Sequence, residues 1–281
     1  MSSNNFGRQP VRFTGQHFTK SKPLIREMIQ HANINEYDMV LDIGAGKGAL
    51  TKPLAQVSNR VIAVERDSAL AEALKREYLK SGTVKILDMD IRNMPLPNNP
   101  FKVVSNIPYN ITTDILGMLM DIPVNNFQEG VFTMQWGAAL RITESRQTNP
   151  RILAWNSWFD IRIIRKVSSK SFHPPPTVES AVVKIKKRDS PGIKKHLYYN
   201  YMAFLATLLG QPALLAKDAL RTVFTRTQVR RIMKDIDIHQ THLIRDLNIE
   251  QWKHCFKIMR KLLPRKIHPS MPENYKPIFK N

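Results

Sequence analysis

The stretch Asp42-Ile43-Gly44-Ala45-Gly46-Lys47-Gly48-Ala49 decides the fold of this 281-residue chain. The apolar run before the glycines, residues 39–43, predicts a strand, and residues 49–56 after them predict a helix. Glycines at such a turn let the backbone approach a ligand at the N-terminus of the helix. A P-loop is excluded because a glycine, and not Ser or Thr, follows the lysine. The turn therefore predicts a cofactor site, which suits a nicotinamide cofactor and S-adenosylmethionine equally well.

Strand-like and helix-like segments alternate around this turn. Further strands are predicted at residues 60–65, 84–87, 101–105 and 131–135, and further helices at residues 23–31 and 68–80, the latter with Ser68 as N-cap. Residues 161–166 and 181–186 have the alternation of a hairpin. This order predicts an α/β fold whose parallel, doubly wound sheet ends in an antiparallel edge.

The pattern changes near residues 188–192, where charged residues are followed by Pro191 and Gly192. Beyond this point the predicted elements are all helices, at residues 194–209, 213–223, 227–235 and 249–263. We therefore expect a catalytic domain at residues 1–188 and a small all-helical C-terminal domain at residues 189–281.

Carboxylates follow the second and third predicted strands. Glu65 ends the second strand, 21 residues after Gly44, where a carboxylate reaches a ribose diol. Asp88 and Asp90 follow the third strand, and these strand ends lie side by side in a doubly wound sheet. Of the two, Asp90 is the one we expect to contact an adenine amine.

A polar turn, Asn106-Ile107-Pro108-Tyr109, follows the apolar run at residues 101–104. The Asn106 carbonyl and a neighbouring backbone carbonyl can accept hydrogen bonds from an exocyclic amine, and the Tyr109 ring offers a stacking surface. A second aromatic residue, Phe172, stands in the stiff loop Ser171-Phe172-His173-Pro174-Pro175-Pro176. Phe172 is expected either to stack on the opposite face of a base or to belong to the core.

The charge balance indicates a polyanionic partner. There are 43 Lys and Arg residues against 23 Asp and Glu, a net charge of +20, and the pI is about 10.2. An anionic membrane is the weaker alternative to nucleic acid, because no apolar run approaches the roughly 20 residues that span a bilayer.

The single cysteine, Cys255, excludes an intramolecular disulfide and a cysteine cluster for zinc, and its apolar surroundings predict burial. We expect a cytoplasmic protein without a metal.

Together these motifs resemble those of the ribosomal RNA adenine dimethyltransferases. The matching elements, in the family's order, are Gly15-Gln16-His17-Phe18, residues 42–48, Glu65, Asp90, residues 106–109 and Phe172-His173-Pro174-x-Pro176-x-Val178. Within the family, residues 11–19 and 43–48 are most similar to the Erm branch, which acts on 23S ribosomal RNA. The resemblance covers residues 12 to about 186 and implies a Rossmann-like, S-adenosylmethionine-dependent methyltransferase domain followed by a small helical domain.

The resemblance also implies a role for each matching position. Gly44 would face the methionine part of the cofactor, Glu65 its ribose and Asp90 its adenine, while Asn106 would lie between cofactor and target base. Tyr109 and Phe172 would hold a base turned out of its stack. The full set of expected cofactor contacts is His17, Thr19, Gly44, Ala45, Glu65, Arg66, Asp90, Ile91 and Asn106. The expected catalytic positions are Asn106, Ile107, Pro108, Tyr109 and Phe172.

The implied activity is mono- or dimethylation of N6 of a 23S ribosomal RNA adenine. Its expected consequence is resistance to macrolide, lincosamide and streptogramin B antibiotics. We expect a monomer that acts before the ribosome is fully assembled, with RNA phosphates near Lys20, Lys22, Arg141 and Arg165. One segment departs from the family pattern. The family often shows Gln-x-Glu-x-Ala-x-Arg after the fifth strand, whereas residues 135–141 here are Gln-Trp-Gly-Ala-Ala-Leu-Arg, with Gly137 in place of the glutamate.

Three alternatives remain from the sequence. The nearest is dimethylation of small-subunit (16S) ribosomal RNA. A DNA adenine methyltransferase has the same kind of Asn-x-Pro-Tyr turn but matches the proline loop less well. A non-catalytic RNA-binding or transcription factor on the same fold would carry out no methyl transfer.

Overall fold

The computed structural model describes residues 17–121, 125–144 and 146–271. Its strands are β1 (Phe18–Thr19), β2 (Met39–Ile43), β3 (Arg60–Glu65), β4 (Val84–Asp88), β5 (Phe101–Asn106), β6 (Phe127–Gln135), β7 (Phe159–Val167), β8 (Phe172–His173) and β9 (Ser180–Lys187). Its helices are α1 (Lys22–Ala32), α2 (Thr51–Leu54), α3 (Ser68–Glu77), α4 (Thr112–Met120), α5 (Trp136–Thr143), α6 (Pro150–Trp158), α7 (Tyr198–Leu208), α8 (Ala216–Leu220), α9 (Arg226–Asp235) and α10 (Ile249–Leu262). Gly15 and Gln16, part of the first family motif, lie outside the described residues.

In the part of the chain that the structure describes, seven strands form the main sheet, in the order β4-β3-β2-β5-β6-β9-β7. The five strands from β4 to β6 are parallel, and β9 pairs antiparallel with both β6 and β7. This confirms the predicted parallel sheet with an antiparallel edge. Because the parallel strands share a direction, the carboxyl ends of β2, β3, β4 and β5 meet at one edge of the sheet.

Three local predictions are wrong. Of the helix expected at residues 213–223, only α8 forms. The helix expected at residues 49–56 is only α2, because the amides of Gln56 and Val57 bond three residues back, to Pro53 and Leu54, and tighten the chain out of the α-helix. The N-cap of α3 is Asp67 and not Ser68. The Asp67 carboxylate accepts hydrogen bonds from two backbone amides of the first turn, as N-cap residues do.

One continuous hydrophobic cluster runs from the sheet into the C-terminal helices. It joins Leu41 of β2 and Phe132 of β6 to Trp158 of α6, Phe204 of α7 and Phe256 of α10, all essentially buried. The C-terminal helices therefore pack on the sheet region through α6. A division at residues 188 and 189 stays a prediction.

The structure also shows how deeply Cys255 and three tryptophans are buried and whether a helix could span a membrane. Cys255 is fully buried, as predicted, and burial raises its pKa to about 12. Trp155 and Trp158 are core residues, whereas Trp136 is half-buried with the Lys166 ammonium 5.3 Å from its ring centre. Within the described residues, every helix is too short or too polar to span a bilayer.

Candidate active site

A pocket that opens to solvent lies where the carboxyl ends of β2 to β5 meet. Its lining comprises His17, Phe18, Ile43, Gly44, Gly46, Val64, Glu65, Arg66, Met89, Asp90, Ile91 and residues 106–111. The structure thus brings together most of the residues that the sequence singled out. Thr19, Ala45 and Phe172 are the expected site residues outside this lining.

The glycine turn forms the floor of the pocket through an unusual backbone path. Gly44 and Gly46 have φ angles of +72° and +58°, which glycine adopts without strain. A Cβ atom on Gly44 would lie 3.3 Å from the Pro108 ring, and one on Gly46 would lie 2.7 Å from the Phe18 ring. Glycine is therefore needed here both for its backbone angle and because Pro108 and Phe18 close over the turn.

Glu65 holds the glycine turn in place. Its Oε2 accepts a 2.8 Å hydrogen bond from the Gly46 N–H, and its Oε1 accepts one of 2.8 Å from the Asp67 N–H. The carboxylate is buried but lines the pocket. Each carboxylate oxygen accepts more than one hydrogen bond, so both can still receive hydroxyl donors from a ligand.

Asp42, at the end of β2, is a second buried carboxyl group behind the turn. Its Oδ2 accepts a 2.7 Å hydrogen bond from the Thr51 hydroxyl. Burial, assisted by the charge of Glu65 and partly offset by the Thr51 bond, raises the pKa of Asp42 to about 7. Asp42 is therefore substantially protonated near neutral pH in the ligand-free protein.

Asp90, which the sequence favoured over Asp88, lines the pocket, and its contact with an adenine amine stays a prediction. The Arg92 guanidinium donates two hydrogen bonds to its carboxylate, of 3.0 and 2.7 Å, and the Arg92 backbone N–H donates a third. These bonds lower the pKa of Asp90 to about 2. Asp88 instead accepts a hydrogen bond from Ser68.

The side chain of Asn106 is held at both ends. Its Nδ2 donates a 2.6 Å hydrogen bond to the His17 carbonyl, and its Oδ1 accepts a hydrogen bond from the Thr133 hydroxyl. His17 is fixed in turn, since its Nδ1 lies 2.8 Å from the Pro174 carbonyl. A carbonyl oxygen only accepts, so Nδ1 carries the proton. His17 thus links Asn106 to the proline loop.

Tyr109 is fixed beside Asn106 by its hydroxyl group. The phenol oxygen lies 2.5 Å from the buried Ser180 hydroxyl, and the Tyr109 ring centre lies 5.5 Å from that of His17. Burial raises the pKa of Tyr109, and the bond to Ser180 partly offsets this rise. The ring is therefore a neutral, oriented surface at the pocket wall.

The expectation that Phe172 offers an open stacking face is wrong in this structure. β1 and β8 pair antiparallel, with Phe18 opposite His173 and Thr19 opposite Phe172. Opposed residues share a face of the sheet, so the pairing turns Thr19 and Phe172 inward together. Phe172 is fully buried in a core cluster and the Thr19 side chain is buried as well. The alternative from the sequence, Phe172 as a core residue, is the one observed.

Several pocket residues have no distinctive sequence signal. Val64 and Met89 form part of the apolar wall and look like ordinary strand and loop residues in the sequence. Phe18 and Ile43 belong to the family motifs, but the sequence predicts no individual role for them in the pocket. Thr133 and Ser180 do not line the pocket, but their hydroxyl groups contact Asn106 and Tyr109, which do. The pairing of the strands brings them to these positions. Among the described residues, no three His, Cys, Asp or Glu side chains are arranged to hold a metal ion.

The four cations expected near RNA phosphates all lie at the surface. Lys20, Lys22, Arg141 and Arg165 are exposed to solvent. Arg165 also forms a salt bridge with Glu27 of α1, with an Nη2–Oε2 distance of 2.6 Å. Exposed ion pairs of this kind are weak, so the contact of Arg165 with a phosphate stays a prediction.

This sheet order, with a pocket between a glycine turn and an Asn-x-Pro-Tyr turn, is typical of Rossmann-like methyltransferases. The family described as "Ribosomal RNA adenine dimethylase" matches residues 9–261, and the chain belongs to that family.

Two relatives agree with this assignment, and a solved structure agrees with the fold. The chain is 41% identical over 267 residues to "rRNA adenine N-6-methyltransferase" of Bacteroides fragilis, covering 93% of this chain and 98% of the relative. It is 41% identical over 256 residues to the protein of the same name from Bacillus licheniformis, covering 91% and 88%. The fold is similar to that in "Crystal structure of 23S rRNA methyltransferase ErmE", with a TM-score of 0.77, 22% identity and coverage of 86% of this chain and 99% of that one.

Proposed function

We propose that this protein transfers methyl groups from S-adenosylmethionine to N6 of an adenine in 23S ribosomal RNA. The observation that carries the proposal is a single pocket shared by two kinds of site. Glu65 and Asp90, the expected cofactor contacts, line the same pocket as Asn106 and Tyr109, the expected contacts of the target base. The chain's relatives at 41% identity are named for methylation of the same adenine nitrogen.

The polar residues of the pocket fit S-adenosylmethionine. The ribose hydroxyls require acceptors, which the Glu65 carboxylate supplies, and the adenine amine requires one that Asp90 supplies. Gly44 and Gly46 both line the pocket, so the backbone of the turn is available to the ligand. When bound, S-adenosylmethionine supplies an electrophilic methyl group.

The role assigned to the Asn106 turn is to make the adenine amine nucleophilic. The amine nitrogen is a poor nucleophile because its lone pair is delocalised into the ring. Hydrogen bonds from the amine to the Asn106 carbonyl and to a backbone carbonyl would favour a pyramidal nitrogen. We assign Ile107 as the backbone acceptor, because the Pro108 carbonyl already receives donors from Ile111 and Thr112.

Positioning supplies most of the rate in this proposal. Holding two reactants in the correct geometry contributes up to about 7–11 kcal/mol. Tyr109 would stack on the target base once the base has left its helix. Phe172 has no base contact in this proposal, because its ring is buried.

The net charge of +20 fits an RNA substrate. Lys20, Lys22, Arg141 and Arg165 are the exposed cations to which we assign phosphate contacts. RNA binding should therefore weaken steeply with salt. We further expect a cytoplasmic monomer that acts before ribosome assembly is complete. Size-exclusion chromatography tests whether the protein is a monomer. Comparing the methylation of free 23S RNA with that of assembled subunits tests when it acts.

The decisive experiment is expression in a susceptible bacterium, followed by erythromycin challenge and mass spectrometry of the 23S RNA. Resistance together with a methylated adenine is the expected result, and the mass gives the number of methyl groups. Soluble protein with unmodified RNA would overturn the proposal.

A parallel assay on isolated 16S fragments addresses the second candidate. "Ribosomal RNA small subunit methyltransferase A" of Acaryochloris marina is 30% identical over 263 residues. Its lower identity favours 23S RNA as the substrate here, and methylation of 16S RNA alone would reverse that choice.

A further inference from the structure

The strand pairing places Thr133 directly against the Asn106 turn. Asn106 ends β5, its register partner in β6 is Thr133, and the Ile107 N–H donates a 3.2 Å hydrogen bond to the Thr133 carbonyl. The Thr133 side chain is fully buried. A buried hydroxyl needs a hydrogen-bond partner, and for Thr133 that partner is the side-chain oxygen of Asn106.

The direction of this hydrogen bond follows from the other end of the Asn106 side chain. The His17 carbonyl, 2.6 Å from the Asn106 amide group, can only accept, so the NH₂ end must face it. The carbonyl end of Asn106 therefore faces Thr133, and the Thr133 hydroxyl must be the donor. A carbonyl oxygen has two lone pairs, so Thr133 uses one and leaves the second for another donor.

The second bond is important because the terminal torsion of asparagine is soft. The χ2 angle of Asn has a broad distribution and is not confined to staggered wells. A hydrogen bond to His17 alone would leave the carboxamide plane free to swing about that contact. Two bonds on opposite ends of the group fix the plane, and with it the direction of the free lone pair on Oδ1.

We propose that Thr133 is a positioning residue that aims the Asn106 carbonyl at the target amine. The inference rests on the proposed function, because it refines how Asn106 performs its role there. Thr133 itself touches neither substrate nor cofactor and does not line the pocket. A purely structural Thr133 would affect stability and leave turnover by the folded protein unchanged.

Thr133→Val is the first test, because valine keeps the branched shape and removes only the hydroxyl group. Thr133→Ser restores a hydroxyl at the same position. Ser157→Ala is the matched control, since Ser157 is fully buried and bonds the Leu153 carbonyl and Tyr201 in the core between α6 and α7. Steady-state methylation of a 23S RNA fragment gives kcat and KM, and a single-turnover assay isolates the chemical step. Titration with S-adenosylhomocysteine measures the cofactor site.

The expected result is a fall in kcat of about tenfold for Thr133→Val, with KM for RNA and Kd for S-adenosylhomocysteine changed by less than about twofold. Thr133→Ser should recover most of the loss, and Ser157→Ala should keep wild-type kcat. The Asn106 side-chain amide signal, identified in ¹H–¹⁵N spectra by its loss in Asn106→Ala, should shift in Thr133→Val and return in Thr133→Ser. If the valine variant does not fold, Thr133→Ala replaces it and must show the same loss.

Two outcomes overturn the role of Thr133 alone. They are full kcat in the hydroxyl-free variant, or a serine variant that is as impaired as the valine variant. A wild-type protein that methylates no adenine is a different failure, because it removes the proposed function and the Thr133 role with it.

Discussion

The Glu65 carboxylate and the Gly46 backbone N–H are joined by a 2.8 Å hydrogen bond, so one side chain both shapes the glycine turn and faces the pocket. The same carboxylate accepts a bond from the Asp67 N–H, where β3 ends. Two backbone segments are thus held by one buried anion. A change at Glu65 should therefore disturb the turn as well as remove a ligand contact.

Glu65→Gln tests this double role. The side-chain NH₂ group of glutamine would face the backbone N–H of either Gly46 or Asp67, and two donors cannot form a hydrogen bond with each other. We expect affinity for S-adenosylhomocysteine, measured by calorimetry, to fall about 10- to 100-fold, in line with about 1.5–3 kcal/mol for hydrogen bonds to a charged group. Glu72→Gln, on the exposed side of α3 where Glu72 pairs with Lys75, is the control. Equal affinities for the two variants would contradict the role of Glu65.

Asn106→Ala should abolish turnover while cofactor affinity largely survives. The variant loses the carbonyl that accepts from the target amine, whereas Glu65 and Asp90 remain in place. Methyl transfer to RNA and calorimetry with S-adenosylhomocysteine measure the two effects separately. Asn149→Ala removes the N-cap of α6 and should lower stability by about 1 kcal/mol without affecting turnover. Near-normal methylation by Asn106→Ala would rule out the proposed chemistry.

The parts of the site that could be predicted from sequence are those at the ends of parallel strands. The Asp42–Gly48 turn, Glu65 and Asp90 each follow an apolar run, and parallel strands bring such ends to one edge. Local signals and one rule of topology are enough for these residues.

The supporting residues could not be predicted, because long-range pairing places them. Thr133 lies 27 residues from Asn106, and Ser180 lies 71 residues from Tyr109. A threonine or serine in a strand has no sequence feature that names its partner. Phe172 is a related case, since the inward direction of its ring follows from pairing of β8 with β1.

Tyr109→Ala should impair methylation more than Tyr109→Phe. Stacking is worth about 1–3 kcal/mol per base, so we expect kcat/KM to fall about 10- to 100-fold for alanine. Phenylalanine keeps the ring and loses only the bond to Ser180, so its loss should be smaller. Ser180→Ala should match Tyr109→Phe, and the double variant should be no worse than either. Additive losses in the double variant would show that the two hydroxyls act separately.

Asp42 should give the ligand-free protein a characteristic pH dependence. The pKa of this carboxyl is about 7 in the folded state, from burial and the charge of Glu65, against 3.8 as its ordinary value. Between these values the folded protein binds a proton that the unfolded chain has lost. Stability from this group is therefore complete below about pH 4 and is lost as the pH rises to about 7.

Asp42→Asn mimics the protonated carboxyl and can still accept the Thr51 hydrogen bond. We expect its free energy of unfolding in urea to fall less between about pH 5 and pH 8 than that of wild type. The variant should be the more stable protein at the upper end by about 1–4 kcal/mol. Asp235→Asn, where α9 ends with Asp235 3.7 Å from Arg231, should follow the wild-type curve. Parallel curves for Asp42→Asn and wild type would mean that Asp42 is ionised in the folded protein across this range, despite its burial.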